Sequence, residues 1–369
     1  MTFLQFHGCD SLRSIPDISG LQNLEDFSCY NCKDLTTFDD SIGLLGKLKI
    51  LKVHHCPKLE TIPSLKSASL EKFTLSYLDS IKSLSPMLDE SLDKLENLKV
   101  QYCPWIETIP PLKLASLKEL TLSKLHRLKS LSPMLDESLG KLEILKVDYC
   151  PWIEIIPPLK LASLKELTLS NLHRLKSLSP MFDESLGKLE ILKVHFCPKI
   201  ETILPLKLAL LEKLSLRGLP SIESLSATLN ESFDKLKILK IVSCKKLQTI
   251  PSLKLASLEE LHFAELHSVK SLSPLLDVSL DKLKVLNIKG WYEMQSFPPI
   301  MLPSLEELEL SYCDCLESFP RITSRSMAKL KILILARCKK LRKIPAINAA
   351  SLDVFDHFGC ESLEFSTSD

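Results

Sequence analysis

Short runs along this chain alternate apolar and polar residues in the frame L-x-x-L-x-L, as in Leu142-Glu143-Ile144-Leu145-Lys146-Val147-Asp148-Tyr149-Cys150 and Leu117-Lys118-Glu119-Leu120-Thr121-Leu122-Ser123-Lys124-Leu125. A period of two over so few residues predicts a half-buried strand. Leu145 and Val147 then face inward, and Lys146 and Asp148 face out. The ninth position of the frame is Cys9, Cys32, Cys56, Leu78, Cys103, Leu125, Cys150, Leu172, Cys197, Leu219, Cys244, Leu266, Trp291, Cys313, Cys338 and Cys360. Every second member of this series returns at an interval of 47 residues: Cys9, Cys56, Cys103, Cys150, Cys197, Cys244, Trp291 and Cys338. A fixed register of this kind predicts stacked copies, each burying its apolar face only against its neighbours. After the ninth position come further apolar residues and a proline, as in Trp105-Ile106-Glu107-Thr108-Ile109-Pro110. Proline cannot donate to a strand ladder, so these segments read as irregular returns. Ser132-Pro133-Met134-Leu135-Asp136-Glu137-Ser138-Leu139, with proline first and acids in the next turn, predicts a short helix or 3₁₀ turn.

The series has sixteen members in 369 residues, in alternating units of about 22 and 25. A unit of about 23 residues lies within the range of leucine-rich repeats. The expected fold is an α/β solenoid: a horseshoe with a parallel β-sheet on the concave face and short helical or irregular convex returns. Residues 1–369 are expected to form one array of sixteen repeats. Met1 falls almost inside the first predicted strand, so the array reads as truncated at its N-terminus. Tyr102 to Leu139 repeats as Tyr149 to Leu186 with changes only at Thr108/Ile155, Lys124/Asn171 and Leu135/Phe182, the mark of an internal duplication.

Composition narrows the functional classes. Lysine and arginine number 47 against 46 aspartates and glutamates, so no bulk field advertises nucleic acid or an acidic membrane. The first residues lack the basic and apolar regions of a secretory signal, and no apolar run approaches a membrane span. Most of the twelve cysteines share one frame position. Equivalent positions in successive coils cannot all pair, so Cys9, Cys56, Cys103, Cys150, Cys197, Cys244 and Cys338 read as a ladder of small buried residues in a reducing compartment.

Candidate chemistry is sparse. Gly43-Leu44-Leu45-Gly46-Lys47-Leu48 has neither the spacing nor the hydroxyl of a phosphate-binding loop, and no nucleophile sits on a special turn. Cys29-x-x-Cys32, Cys313-x-Cys315 and His54-His55-Cys56 lack a second pair at a spacing that would complete a zinc site, so no metal site is expected. Asn230-Glu231-Ser232 fits a glycosylation sequon. The acids Asp89, Glu90, Asp136, Glu137, Asp183 and Glu184 read as a solvated face.

The outward strand positions remain. Between the two inward residues stand Lys52, Thr74, Lys99, Thr121, Lys146, Thr168, Lys193, Ser215 and Lys240. Lysines on alternate strands lie about 10 Å apart and repel in water by only about 0.4 kcal/mol, so such a row costs little. The next outward position changes from copy to copy: His54, Gln101, Asp148, His195, Val242, Lys289 and Ala336. Beside it stand Tyr77, Tyr102, Tyr149, Phe196 and Tyr312, aromatic anchors of the kind that concentrate binding energy. A constant inward set with a variable outward one predicts protein binding on the strand face.

The frame L-x-x-L-x-L-x-x-C-x-x-L-x-x-(I/F)-P resembles the leucine-rich repeats of plant intracellular nucleotide-binding immune receptors, particularly those with an N-terminal TIR domain. The stretch Phe3-Leu4-Gln5-Phe6-His7-Gly8-Cys9-Asp10-Ser11-Leu12-Arg13-Ser14-Ile15-Pro16 and the following Asp40-Ser41-Ile42-Gly43 are most similar. The resemblance implies a cytoplasmic or nuclear, non-enzymatic sensor without cofactor. It would bind a pathogen effector or host target and restrain the receptor's own nucleotide-binding module. The TIR and nucleotide-binding modules are absent from the sequence, so NAD cleavage and nucleotide switching are not carried over. The alternatives are the repeat region of a ubiquitin-ligase substrate receptor, which would need a helical ligase-binding module, and a truncated fragment without a function of its own.

Overall fold

The computed structural model describes residues 1–67, 69–85, 87–88, 92–131, 139–178, 186–203, 208–225, 233–250, 255–269, 280–298, 301–319, 326–344 and 352–363. The acids Asp89, Glu90, Asp136, Glu137, Asp183 and Glu184, the predicted short helix at 132–138 and the sequon at 230–232 lie outside these residues. The chain groups into two compact units, 1–189 and 190–369.

The first unit contains β1 (Phe3–His7), β2 (Ser14–Ile15), β3 (Asp26–Tyr30), β4 (Thr37–Phe38), β5 (Ile50–His54), β6 (Lys72–Ser76), β7 (Asn97–Gln101), β8 (Glu119–Ser123), β9 (Ile144–Asp148) and β10 (Glu166–Ser170). Apart from β2 and β4, which pair with each other, these strands form a parallel sheet in chain order. The register sets one repeat against the next residue for residue: Lys52 opposes Thr74, Thr74 opposes Lys99, and Lys99 opposes Thr121. The second unit contains β11 (Ile191–His195), β12 (Lys213–Arg217), β13 (Ile238–Val242), β14 (Glu260–Ala264), β15 (Val285–Lys289), β16 (Glu307–Ser311), β17 (Ile332–Ile334) and β18 (Val354–Asp356), parallel in the same manner.

The inward and outward assignment holds on the strands. In β9 Leu145 and Val147 are fully buried while Ile144, Lys146 and Asp148 are half-buried. Cys150 follows into the core, then Ile153, Ile156, Leu159, Leu161 and Leu164 along the return, so the interior of a coil is apolar on every side. The ladder thiols act as weak donors that turn the chain: Cys103, Cys150 and Cys197 each donate to the carbonyl two residues back, at 3.4, 3.4 and 3.3 Å. Trp291 occupies the same position and donates from Nε1 to the Val269 carbonyl at 2.5 Å. Cys9 and Cys360, the first and last members of the series, are half-buried where Cys56 and Cys103 are fully enclosed.

The returns are irregular, as the prolines predict. Among the described residues they contain no α-helix, and the one 3₁₀ helix described over its full length is Asp40–Leu44, whose N-cap Asp39 accepts from Ser41 N–H at 2.9 Å. Gly43 is required there, because a Cβ would run into the Ser64 carbonyl oxygen of the next coil. Ile106 and Ile153 are buried, whereas the preceding Trp105 and Trp152 are exposed. Each lies on the surface under a guanidinium, Arg127 at 3.8 Å and Arg174 at 3.6 Å. Among the described residues no helix is long and apolar enough to cross a membrane.

Leu145 and Lys146 are adjacent but face opposite ways, and their truncation separates core from face. Leu145→Ala is expected to lower stability by about 2–5 kcal/mol, and Lys146→Ala to change it by less than about 0.5 kcal/mol. Urea unfolding followed by circular dichroism reads both.

Candidate protein-recognition face

Three parallel rows of side chains lie across the sheet of the first unit. The lysines of the row on its flank are ion-paired. Lys49 pairs with Glu25 at 2.7 Å, Lys118 with Glu96 at 2.7 Å and Lys165 with Glu143 at 2.9 Å, each reaching one coil back. The hydrogen bond from Lys49 holds the Glu25 carboxyl below its ordinary range. The same rung recurs in the second unit between Lys237 and Glu212, Lys284 and Glu259, and Lys331 and Glu306.

The central row is Lys52, Lys99 and Lys146, interleaved with Thr74, Thr121 and Thr168. No ion pair is formed by these three lysines among the described residues, although their stems are half-buried. Lys193 and Lys240 hold the equivalent places in the second unit, separated by Ser215, and Lys240 lies 3.6 Å from Glu260.

The third row ends the strands. In register it runs Tyr30, His54, Ser76, Gln101, Ser123, Asp148 and Ser170, so a serine fills alternate rungs from Ser76 onward. Asp148 is held from both sides: its Oδ1 accepts from Ser170 Oγ at 2.7 Å and Asn171 Nδ2 at 2.9 Å, and its Oδ2 from Ser123 Oγ at 3.3 Å. In the second unit His195 Nε2 lies 2.9 Å from Ser215 Oγ.

The aromatic residues stand one step further than the strand pattern alone implies. Tyr77, Tyr102, Tyr149, Phe196 and Tyr312 follow the last strand residue and have φ between 52° and 59°, in the left-handed region. Asn31, His55, Lys124, Asn171, Gly8 and Gly218 occupy the same station in other coils. The strain of a non-glycine residue there is offset by continuation of the ladder, since Tyr77 N–H donates to Gln101 O at 3.0 Å and Tyr102 N–H to Ser123 O at 2.9 Å. The turn swings these side chains over one another. His55 stacks on Tyr77 with centroids 4.2 Å apart and planes at 9°, Tyr77 stacks on Tyr102 at 4.0 Å and 15°, and the Lys124 ammonium sits 3.9 Å over the Tyr102 ring. His54 packs against Tyr77 at 5.1 Å and Tyr30 against His54 at 5.9 Å. Each such pair contributes about 0.5–1.5 kcal/mol beyond its burial. Tyr149 lies outside this column, edge-on to His126 and His173. Phe196 lies over Gly218, where any side chain would strike its ring.

Of the expected face residues the structure therefore brings Lys52, His54, Tyr77, Lys99, Gln101 and Tyr102 to one surface of the first unit. Tyr30, His55 and Lys124 were missed by sequence reasoning. The signal for His55 and Lys124 is the residue just before each ladder position, which the turn makes equivalent in every coil, and for Tyr30 it is the strand residue before that. Stacking of the coils brings Cys56 to Cys29 and Cys32, with all three sulfurs mutually within 4.8 Å.

Residues 206–339 match the model of leucine-rich repeats of plant RPS2-like disease resistance proteins. The chain is 35% identical over 81 residues to disease resistance protein RPP4 of Arabidopsis thaliana, covering 22% of this chain and 7% of that one. It is 33% identical over 73 residues to TMV resistance protein N of Nicotiana glutinosa, covering 20% and 6%. Among solved structures, the TLR13–ssRNA13 complex superposes with a TM-score of 0.58 over 94% of this chain and 54% of that one, at 18% identity, a likeness of fold alone. The fold is that of a leucine-rich repeat protein. By sequence, its repeats over residues 206–339 are similar to those of plant disease resistance proteins, and the chain spans well under a tenth of the length of those two relatives.

Burial lowers the proton affinity of three face histidines. His54 is held below its ordinary 6.5 by desolvation and by His55, and His195 by desolvation and then by Arg217, Lys193 and Lys213. His262 is lowered by desolvation, against the opposing pull of Glu260. The unfolded chain takes up these protons near 6.5 while the fold resists them, so their contribution is complete above 6.5 and is lost as pH falls through the lower folded values. Melting temperature is expected to fall between about pH 7 and pH 5, and a His195→Gln variant to lose less over that interval in thermal melts.

Proposed function

We propose that this chain is a non-enzymatic recognition domain of a plant immune receptor, binding a pathogen effector or a host target through its strand face. The observation that carries the reading is the column His55–Tyr77–Tyr102–Lys124 beside the unpaired row Lys52, Lys99 and Lys146. Stacked rings lose little conformational freedom on binding, and amphipathic aromatics beside cationic groups are the chemistry of interface hot spots. Lysines that form no ion pair offer their charge to an acidic partner surface, and such attraction speeds and orients association. The flank lysines, already paired, do not.

The sequence relationship to disease resistance proteins supports the immune assignment. In a full receptor the same array would also restrain the nucleotide-binding module, acting in the cytoplasm or nucleus. Residues 1–369 form one recognition domain of sixteen repeats in this reading.

Tyr77→Ala with Tyr102→Ala is expected to weaken partner binding at least tenfold without lowering the melting temperature by more than a few degrees. Charge reversal of Lys99 and Lys146 is expected to slow association, most strongly at low salt. Lys49→Ala with Lys118→Ala, on the ion-paired flank, is the control and should bind as the parent does. Retention of binding and immune output by the tyrosine and lysine variants alike would remove this face from the account.

A further inference from the structure

Cys29 is the one cysteine at an inward strand position of β3, where the facing residue of β5 is Val53. Its neighbours Cys32 and Cys56 are successive ladder residues, so one strand position and two ladder positions converge in the interior. Cys29 Sγ lies 3.5 Å from Cys32 Sγ and 3.8 Å from Cys56 Sγ, and the three sulfurs are mutually within 4.8 Å. All three residues are fully buried and none is in a disulfide. Among the described residues this is the one cluster of three potential metal-ligand side chains so close together.

We propose that Cys29, Cys32 and Cys56 form a buried trithiolate site for a single thiophilic d¹⁰ metal ion, Zn(II) or Cu(I). A metal–sulfur bond of about 2.3 Å sets sulfurs about 3.8–4.0 Å apart in tetrahedral or trigonal geometry, so the observed spacings need only sub-ångström adjustment. Closing any pair to a disulfide, with its S–S bond of about 2.05 Å, would draw sulfurs together by well over an ångström against the parallel ladder that holds β3 and β5. Thiolate sulfur selects soft ions over the hard oxygen-seeking ones. Each ligating thiol releases its proton to solvent on binding, and the positive ion stabilises the thiolates that burial alone disfavours. Bound metal would clamp the coil of β3 to that of β5, beside the His55–Tyr77 stack that begins one residue before Cys56.

The full chain, reduced and handled without oxygen, is offered Zn(II) and, separately, Cu(I), and the bound metal is quantified after desalting. One molar equivalent is expected, with thiolate-to-metal charge-transfer absorption when Cd(II) replaces Zn(II) and a rise in melting temperature. Competition between the two ions assigns the preferred one. Cys29→Val, which installs the residue that β5 carries, is expected to lose the equivalent, the absorption and the melting shift while keeping the parent's circular dichroism. Cys56→Leu, matching Leu78 of the next coil, is a second removal should the first perturb folding. Cys103→Ala, a ladder cysteine outside the cluster, should bind as the parent does. Absence of a stoichiometric ion in the reduced chain, or equal binding by Cys29→Val and Cys56→Leu, would overturn the site, as would a Cys29–Cys32 or Cys29–Cys56 disulfide found by mass spectrometry together with no metal uptake after reduction.

Discussion

Everything in this molecule depends on the parallel ladder between successive coils, because a coil of some 23 residues has no core of its own and buries its leucines only against the coils on either side. Leu145 and Val147 cannot move without losing that burial, and their backbone groups are committed to the neighbouring strands on both edges. The pairing register then carries each repeat's outward residues into continuous rows. It also forces the left-handed turn at the end of each strand, since the N–H of the turn residue continues the ladder into the next coil.

That turn converts a one-dimensional repeat into a surface. Residues such as His55, Tyr77 and Tyr102 leave the sheet in the same direction, one coil apart, so their rings stack at about the spacing of the strands themselves. The same register sorts the charges. Flank lysines reach a glutamate one coil back, whereas the lysines of the central row look out between threonines whose hydroxyls carry no charge. A partner would meet aromatic faces and uncompensated cations side by side, with Asp148 fixed by its serine and asparagine neighbours at the far end of the row.

The cysteines show how one residue type takes two roles under the same constraint. At Cys103, Cys150 and Cys197 a lone thiol fills the corner after the strand and donates to a nearby carbonyl, and a leucine serves the same corner in alternate coils. Burial raises the proton affinity of Cys103 and Cys150 to about 12, so they are inert fillers. Replacing the inward valine of one strand by Cys29 brings a third sulfur to two of these corners, and the chemistry changes from packing to ligation.

The sequence by itself determined the repeat, the strand of each coil, its inward pair and the ladder position, because period and burial follow directly from the alternation of apolar and polar residues. It also placed the lysine row and the variable row, which are outward positions on predicted strands. Only the tertiary structure decided which of those residues meet. The lateral register pairs side chains more than twenty residues apart, so the stack of Tyr77 on Tyr102, the ion pairs of the flank and the surface position of Trp105 under Arg127 have no local signature. The convergence of Cys29 with Cys56, 27 residues later, is of the same kind: spacing read along the chain showed an incomplete pair, and stacking of the coils supplied the third sulfur.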